Sequence, residues 1–226
     1  MTTRSPKPRL PGHRRRDLIL EAALREFAER GYEPASMGQI AAAAGVSRTV
    51  LYDHFPSKHA LFVEVLSSQH DVLLAHLSER IASEDPMHER IRGTFDAFFA
   101  FAEQRPLAFS LLFPDNPPVD PEVATDYRRR RVQSNRLLSG LLEADARRAG
   151  IDTESPVGRA VFVMHQEALE GAARWWQSHP SVPRADLVEA AMAALWTGLG
   201  AAERSEPPPV SQAQGSSGRA GSRSDG

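Results

Sequence analysis

Between Ser47 and Tyr52 the chain gathers side chains suited to reading a nucleic acid. Arg48 has the planar donor fork that matches guanine O6 and N7, and the Thr49 methyl can meet a thymine methyl. Ser47 is a helix N-cap, placed where free backbone N–H groups and the positive end of the helix dipole can face a phosphate. Asp53 could accept from cytosine N4 or simply point away. Other chemistries find less support. With 0 Cys the chain has no thiolate metal site, no cysteine nucleophile and no disulfide framework. His54 has no second ligand at helical spacing, and His70, His76 and His165 form no His-x₃-His pair, so no metal site is expected. There is no phosphate-cradling glycine loop and no Gly-x-Ser-x-Gly turn, so neither a cofactor nor an enzymatic activity is expected.

To present those side chains, residues 37–56 need two short helices meeting at a sharp turn. Their spacing is that of a helix-turn-helix: Ala41 lets the first helix lie close to the second, and Gly45 supplies the positive φ of the turn. Ile40, Val46, Leu51 and Phe55 close a small core, leaving Arg48, Thr49, Val50, Tyr52 and Asp53 for a major groove. The plainer alternative is a helical hairpin with an alanine-rich packing face.

The stretch from Arg15 to Leu61, with its run Leu-Tyr-x-His-Phe-Pro-Ser-Lys-x-Ala-Leu-Phe, resembles the N-terminal domain of the tetracycline-repressor (TetR) family of bacterial transcriptional regulators. The resemblance implies an all-α protein: a three-helix DNA-binding head, a long connecting helix, and an all-helical ligand-binding and dimerisation domain. It also implies that Ser36 and Gln39 meet the DNA backbone, that Arg48, Thr49 and Tyr52 enter the groove, and that His54 and Lys58 hold phosphates. Its departure from the family pattern is Asp53, where neutral or basic residues are common.

Charge distribution agrees with a head that meets a polyanion. Residues 1–60 hold ten Lys/Arg against six Asp/Glu, and the rest holds 17 against 23, within a net charge of −2. The basic residues before Asp17 could equally form a solvated arm. The chain's 226 residues, 41% hydrophobic, suffice for a sizeable core. No apolar run approaches the ~20 residues of a membrane helix and no secretion signal is evident, so a cytoplasmic location is expected. Helical periodicity dominates and strand patterning is nearly absent. We expect an arm over 1–13, the head over 14–56, the second domain over 57–202, and a disordered Pro-, Ser- and Gly-rich tail over 203–226. Predicted helices run from 14 to 30, 36 to 45, 47 to 56, Ser57 towards Pro86, His88 to Gln104, Leu107 to Phe113, Pro121 to Arg148, Pro156 to Ser178 and Arg184 to Ala202.

In the second domain Phe95, Phe98, Phe99, Phe101, Phe109 and Phe113 fall within nineteen residues, more than one helix face can hide. An aromatic-lined cavity for a small, largely apolar effector would use the surplus, with Phe95, Phe98, Phe99, Phe109 and Phe113 as its wall. Tyr127 and His165 could fix such a ligand, as could Gln104, Asn135 and Glu167; ordinary core packing is the alternative. The last two helices are apolar on more than one side, which calls for a partner beyond their own domain. The resemblance implies a four-helix bundle across a two-fold axis, with Leu169, Ala172, Trp176, Met192, Leu195 and Trp196 at the homodimer interface. Such a dimer would read a palindromic operator in double-stranded DNA, most simply as a repressor relieved by its effector. The rival of another class is an all-helical enzyme or lipid-binding protein that uses the cavity without binding DNA.

Overall fold

The computed structural model describes residues 11–116, 118–148 and 150–196. Among them are nine α-helices and no strand: α1 Gly12–Arg30, α2 Met37–Ala43, α3 Arg48–His54, α4 Lys58–Ile81, α5 Met87–Gln104, α6 Pro106–Leu112, α7 Pro121–Arg148, α8 Pro156–Gln177 and α9 Arg184–Ala191. Serines start several of these where the sequence places them. Ser36, Ser47, Ser57 and Ser155 each accept from the backbone N–H three residues on, satisfying one of the donors that a helix start leaves free.

Two boundaries differ from expectation. The first helix begins at Gly12, where Pro11 lies just ahead of the first turn, so the end of the expected arm is already helical; the arm's first ten residues lie outside the described residues, as does the tail. The last helix is α-helical only to Ala191 and then widens to π geometry over Met192–Trp196, which turns Met192 inward and leaves Ala193 and Ala194 outward.

α1, α2 and α3 close around Ile19, Ala23, Phe27, Ile40, Ala41 and Leu51, all buried. The N-terminal half of α4 completes this core with Leu61, Phe62 and Val65. α4 then leaves the head and packs along α5 and α7, while α1 packs directly on α6. One continuous hydrophobic core therefore runs from the head into the second domain. Aromatic contacts mark the passage: Phe27 meets Phe62 edge-on at 5.0 Å, and Phe62 lies 5.8 Å from Tyr127 on α7.

Candidate nucleic-acid interface and effector cavity

The turn between α2 and α3 is closed by the chemistry its sequence allows. The Val46 N–H reaches Ala41 O at 3.0 Å and the Gly45 N–H reaches Ala42 O at 3.1 Å, a pairing that requires the left-handed φ of +68° at Gly45. Leu51 is fully buried and Phe55 nearly so, whereas Arg48, Thr49, Tyr52 and Asp53 stay exposed on the outer side of α3. Arg48 folds back over α2, its guanidinium lying where a side chain at position 38 would stand, so the glycine there makes room for it. Ser36 and Gln39 are joined to each other: the serine hydroxyl donates to Gln39 Oε1 at 2.9 Å and accepts from its N–H. His54 is half-buried in the last turn of α3.

Lys58 departs from the phosphate role that the resemblance implies. Its ammonium gives its N–H groups to the carbonyls of Tyr32, Glu33 and Ala35 at 2.9, 3.0 and 3.2 Å, and lies 4.4 Å from the centre of the Tyr32 ring. An ammonium has three donors, and all three are spent on the turn between α1 and α2. A basic residue at a helix start reads alike from sequence whether it reaches outward or inward.

Below the head, α4, α5, α7 and α8 and the end of α6 enclose a cavity of about 670 Å³ with mostly apolar walls. Phe95, Phe98, Phe113, Tyr127 and His165 line it as expected. Phe99 and Phe109 do not: both are fully buried one layer behind, Phe99 against Trp176 and Phe109 against Phe98 and Phe113. Among the polar candidates Asn135 and Glu167 line it and Gln104 does not. Tyr127 gives its hydroxyl to Leu111 O, and burial pushes its phenol well above the ordinary range. His165 donates from Nδ1 to Val161 O at 2.7 Å, which leaves a buried Nε2 on the cavity wall without a partner among the described residues.

Apart from Glu167, sequence reasoning passed over the charged lining. Arg131 pairs with Glu167 and Glu170, and Arg174 pairs loosely with both Asp115 and Glu170, at 3.7 and 3.8 Å. Burial nevertheless raises the Glu170 pKa, because desolvation outweighs the two arginines. His70 and Arg130 also line the cavity. Nothing in the spacing of the arginines at 128–131 says which of them turns inward, so only the fold could find Arg130.

A further link ties the cavity to the head. Glu33, in the turn after α1, accepts the backbone N–H groups of Val119 and Asp120 at 2.8 and 3.1 Å. These bonds, Asp120's foremost, lower the Glu33 pKa. Val119 and Asp120 belong to the α6–α7 connection, whose Phe113, Pro114 and Pro118 line the cavity. His59 on α4 meets Asp126 on α7 at 2.7 Å.

Of the expected interface residues, Trp176 and Met192 are buried within the chain, and Trp176 donates from Nε1 to Val182 O at 2.8 Å. Leu169 faces the cavity, Ala172 and Leu195 are half-buried, and the side chain of Trp196 lies outside the described residues. The face of α8 left in solvent is instead Val157, Ala160, Met164, Ala168 and Trp175, the last 49% exposed. Both faces are apolar, so the sequence alone could not say which one turns outward.

Among the described residues no helix is long and apolar enough to cross a membrane, and no group of three or more His, Cys, Asp or Glu is placed to hold a metal ion. Residues 19–65 match the family model described as bacterial regulatory proteins, tetR family. The transcriptional activator FasR of Mycolicibacterium smegmatis is 29% identical over 191 residues, covering 84% of this chain and 85% of that one. The transcriptional regulator RutR of Escherichia coli K12 is 30% identical over 165 residues, 68% of this chain and 77% of its own. Among solved structures, the regulator FadR of Bacillus subtilis in complex with stearoyl-CoA superposes with a TM-score of 0.69 at 16% identity, over 80% of this chain and 98% of that one, a likeness of fold. With a helix-turn-helix head in front of an all-helical domain, and with these relatives, the chain belongs to the tetR family of bacterial regulatory proteins and is a DNA-binding transcriptional regulator.

Proposed function

We propose that the protein is a cytoplasmic homodimer that represses from a palindromic operator and releases it when a small, largely apolar effector fills the cavity. The head, over residues 14–56, docks α3 in the major groove: Arg48, Thr49 and Tyr52 meet base edges, while Ser36, Gln39, Ser47 and His54 lie along the backbone. The second domain, over 57–202, holds the effector and joins the two copies through the outward apolar face of α8.

The observation that carries this reading is that the same elements touch head and cavity. α4 starts with Lys58 locked into the α1–α2 turn and ends at Ile81 on the cavity wall, and the α6–α7 connection is held by Glu33 of the head. A ligand that shifts α4 or that connection must move α3, and two heads set about one helical turn apart cannot both dock once their separation changes. The Bacillus subtilis FadR structure is a complex with stearoyl-CoA, which agrees with a long apolar ligand in such a cavity. FasR is named an activator, so the sign of the response needs its own measurement. The test begins by selecting DNA fragments bound by the purified protein, with an inverted repeat as the expected result. Fluorescence anisotropy on that operator, with palmitoyl-CoA and palmitate added, should then show release. Binding of such compounds with unchanged operator affinity refutes ligand-relieved repression.

A further inference from the structure

Among the described residues, a half-buried cation on the cavity wall lacks a counter-ion. The acids that line the cavity are all neutralised: Asp145 pairs with Arg90 and Arg148, Glu167 with Arg131, Glu170 with Arg131 and Arg174, and Asp115 with Arg174. Arg130, where α7 crosses α4, makes no ion pair among the described residues. Among the described residues its side chain makes one hydrogen bond, a long one of 3.4 Å to Val63 O, and that carbonyl already accepts the Ser67 hydroxyl at 2.8 Å. Most of the five N–H donors of the guanidinium therefore have no partner among the described residues. Arg128, also at the cavity, differs in being exposed to water and bonded to Thr125 Oγ1 at 2.9 Å.

The neighbouring groups fit a positive, uncompensated spot. Ser134 gives its hydroxyl hydrogen to Arg130 O at 2.9 Å, so it can only accept from Nε2–H of His70. Nε2 therefore carries a hydrogen, as it does in the neutral Nε2–H ring and in the protonated ring alike. Burial foremost, and then the Arg130 charge, hold the His70 pKa below the ordinary value. A half-buried guanidinium facing an apolar chamber without an anion is unfavourable, and a ligand's anion removes that cost while gaining charge-assisted hydrogen bonds.

We propose that Arg130 is the anion seat of the cavity, so that the effector is a single-chain amphiphile whose carboxylate or phosphate lies on Arg130 while its hydrocarbon tail runs among Leu73, Leu77, Ile91 and Phe95. This deepens the reading of the cavity as an effector pocket and rests on it. It separates the ligand from neutral apolar compounds of the same size, which the walls alone would accept. The four tail residues line the cavity along α4 and α5, on from the His70 end of α4.

The test is calorimetric titration of the full chain with palmitate, palmitoyl-CoA and 1-hexadecanol, each below its aggregation concentration. At least one anion should bind tenfold or more tighter than the alcohol, by roughly the worth of a hydrogen bond to a charged group. Arg130→Gln should weaken that anion by about tenfold to a hundredfold and leave the alcohol unchanged, while Arg130→Lys restores part of the loss. A loss confined to palmitoyl-CoA makes the seated anion a phosphate, and a loss with palmitate makes it a carboxylate; either supports the proposal. Leu73→Trp, which fills the chamber, should weaken all three. If the alcohol binds as tightly as both anions, or if Arg130→Gln weakens all three alike, the anion seat is wrong and the pocket stands. If no amphiphile binds, or if Leu73→Trp leaves binding untouched, the pocket reading falls and takes the seat with it. Should Arg130→Gln fail to fold, the ranking of the three ligands on the parent decides.

Discussion

Arg48 and Gly38 form a unit that the chain's spacing hides. The guanidinium lies over the α2 backbone only because position 38 has no side chain. The obstacle to a methyl there is the flexible end of an arginine, so Gly38→Ala should fold and should gain up to about 1 kcal/mol of helix propensity. The methyl would push Arg48 off its perch, and operator affinity should fall by about 1–3 kcal/mol per half-site, as for Arg48→Ala. A variant equal to the parent in both melting temperature and operator affinity would show that the perch is irrelevant to DNA. Lys58 makes the opposite case. Lys58→Ala should lower the melting temperature by the loss of charge-assisted hydrogen bonds, about 1.5–3 kcal/mol, and leave the slope of log affinity against log salt unaltered. A slope reduced by about one would return Lys58 to the phosphate. His70 adds a pH dependence. Because its folded pKa is depressed below 6.5, the unfolded chain binds more protons between the two values. The stability tied to His70 is complete above pH 6.5 and is lost as pH falls below it. Melting curves between about pH 5 and 7.5 should show His70→Gln less acid-sensitive than the parent.

Helix order and boundaries are legible in the sequence because the starts carry a capping Ser or a Pro and most stops a Gly or Pro: Ser47 and Gly45 in the head, Ser57 before the connector, Pro121 after the proline-rich loop. Helix faces are legible only where one side is polar. On α1 the stripe Ile19, Ala23, Phe27 points inward as its spacing predicts, whereas α8 is apolar on several sides and turns Trp175 rather than Trp176 to solvent. The phenylalanine cluster tells of a cavity but not of layers, since Phe98 and Phe99 are neighbours in sequence and only Phe98 faces the space. Links between distant segments leave no trace at all. Glu33 sits in an unremarkable turn, yet its carboxylate holds the α6–α7 connection across 86 residues of chain. Glu33→Ala frees that connection from the head, so ligand should still bind while its effect on operator affinity shrinks several-fold. If ligand releases the variant from DNA as fully as the parent, α4 alone carries the signal.

At the scale of the whole molecule, coupling and symmetry depend on each other. A ligand that weakens operator binding ~100-fold must bind the DNA-free protein ~100-fold better, about 2.7 kcal/mol of coupling. That energy acts only if two heads are held at a fixed spacing, because a lone head would dock in either arrangement. The surface that can hold them is the outward side of α8, where Met164 is 61% and Trp175 49% exposed, with Ala160 and Ala168 in line to let a second helix come close. Through a two-fold axis this patch would face its own copy. Trp175 stacks on His179 at 4.1 Å and so is presented on a rigid edge, whereas Trp176, one residue on, fills the core against Phe99. The two tryptophans therefore separate assembly from folding. Trp175→Glu should give a folded monomer by analytical ultracentrifugation, with the parent's helical content and an operator affinity reduced by about a hundredfold or more, since only one half-site is then held. Trp176→Glu should instead unfold the second domain, because it buries a carboxylate among phenylalanines. A Trp175→Glu protein that remains dimeric at micromolar concentration would place the two-fold contact on another face.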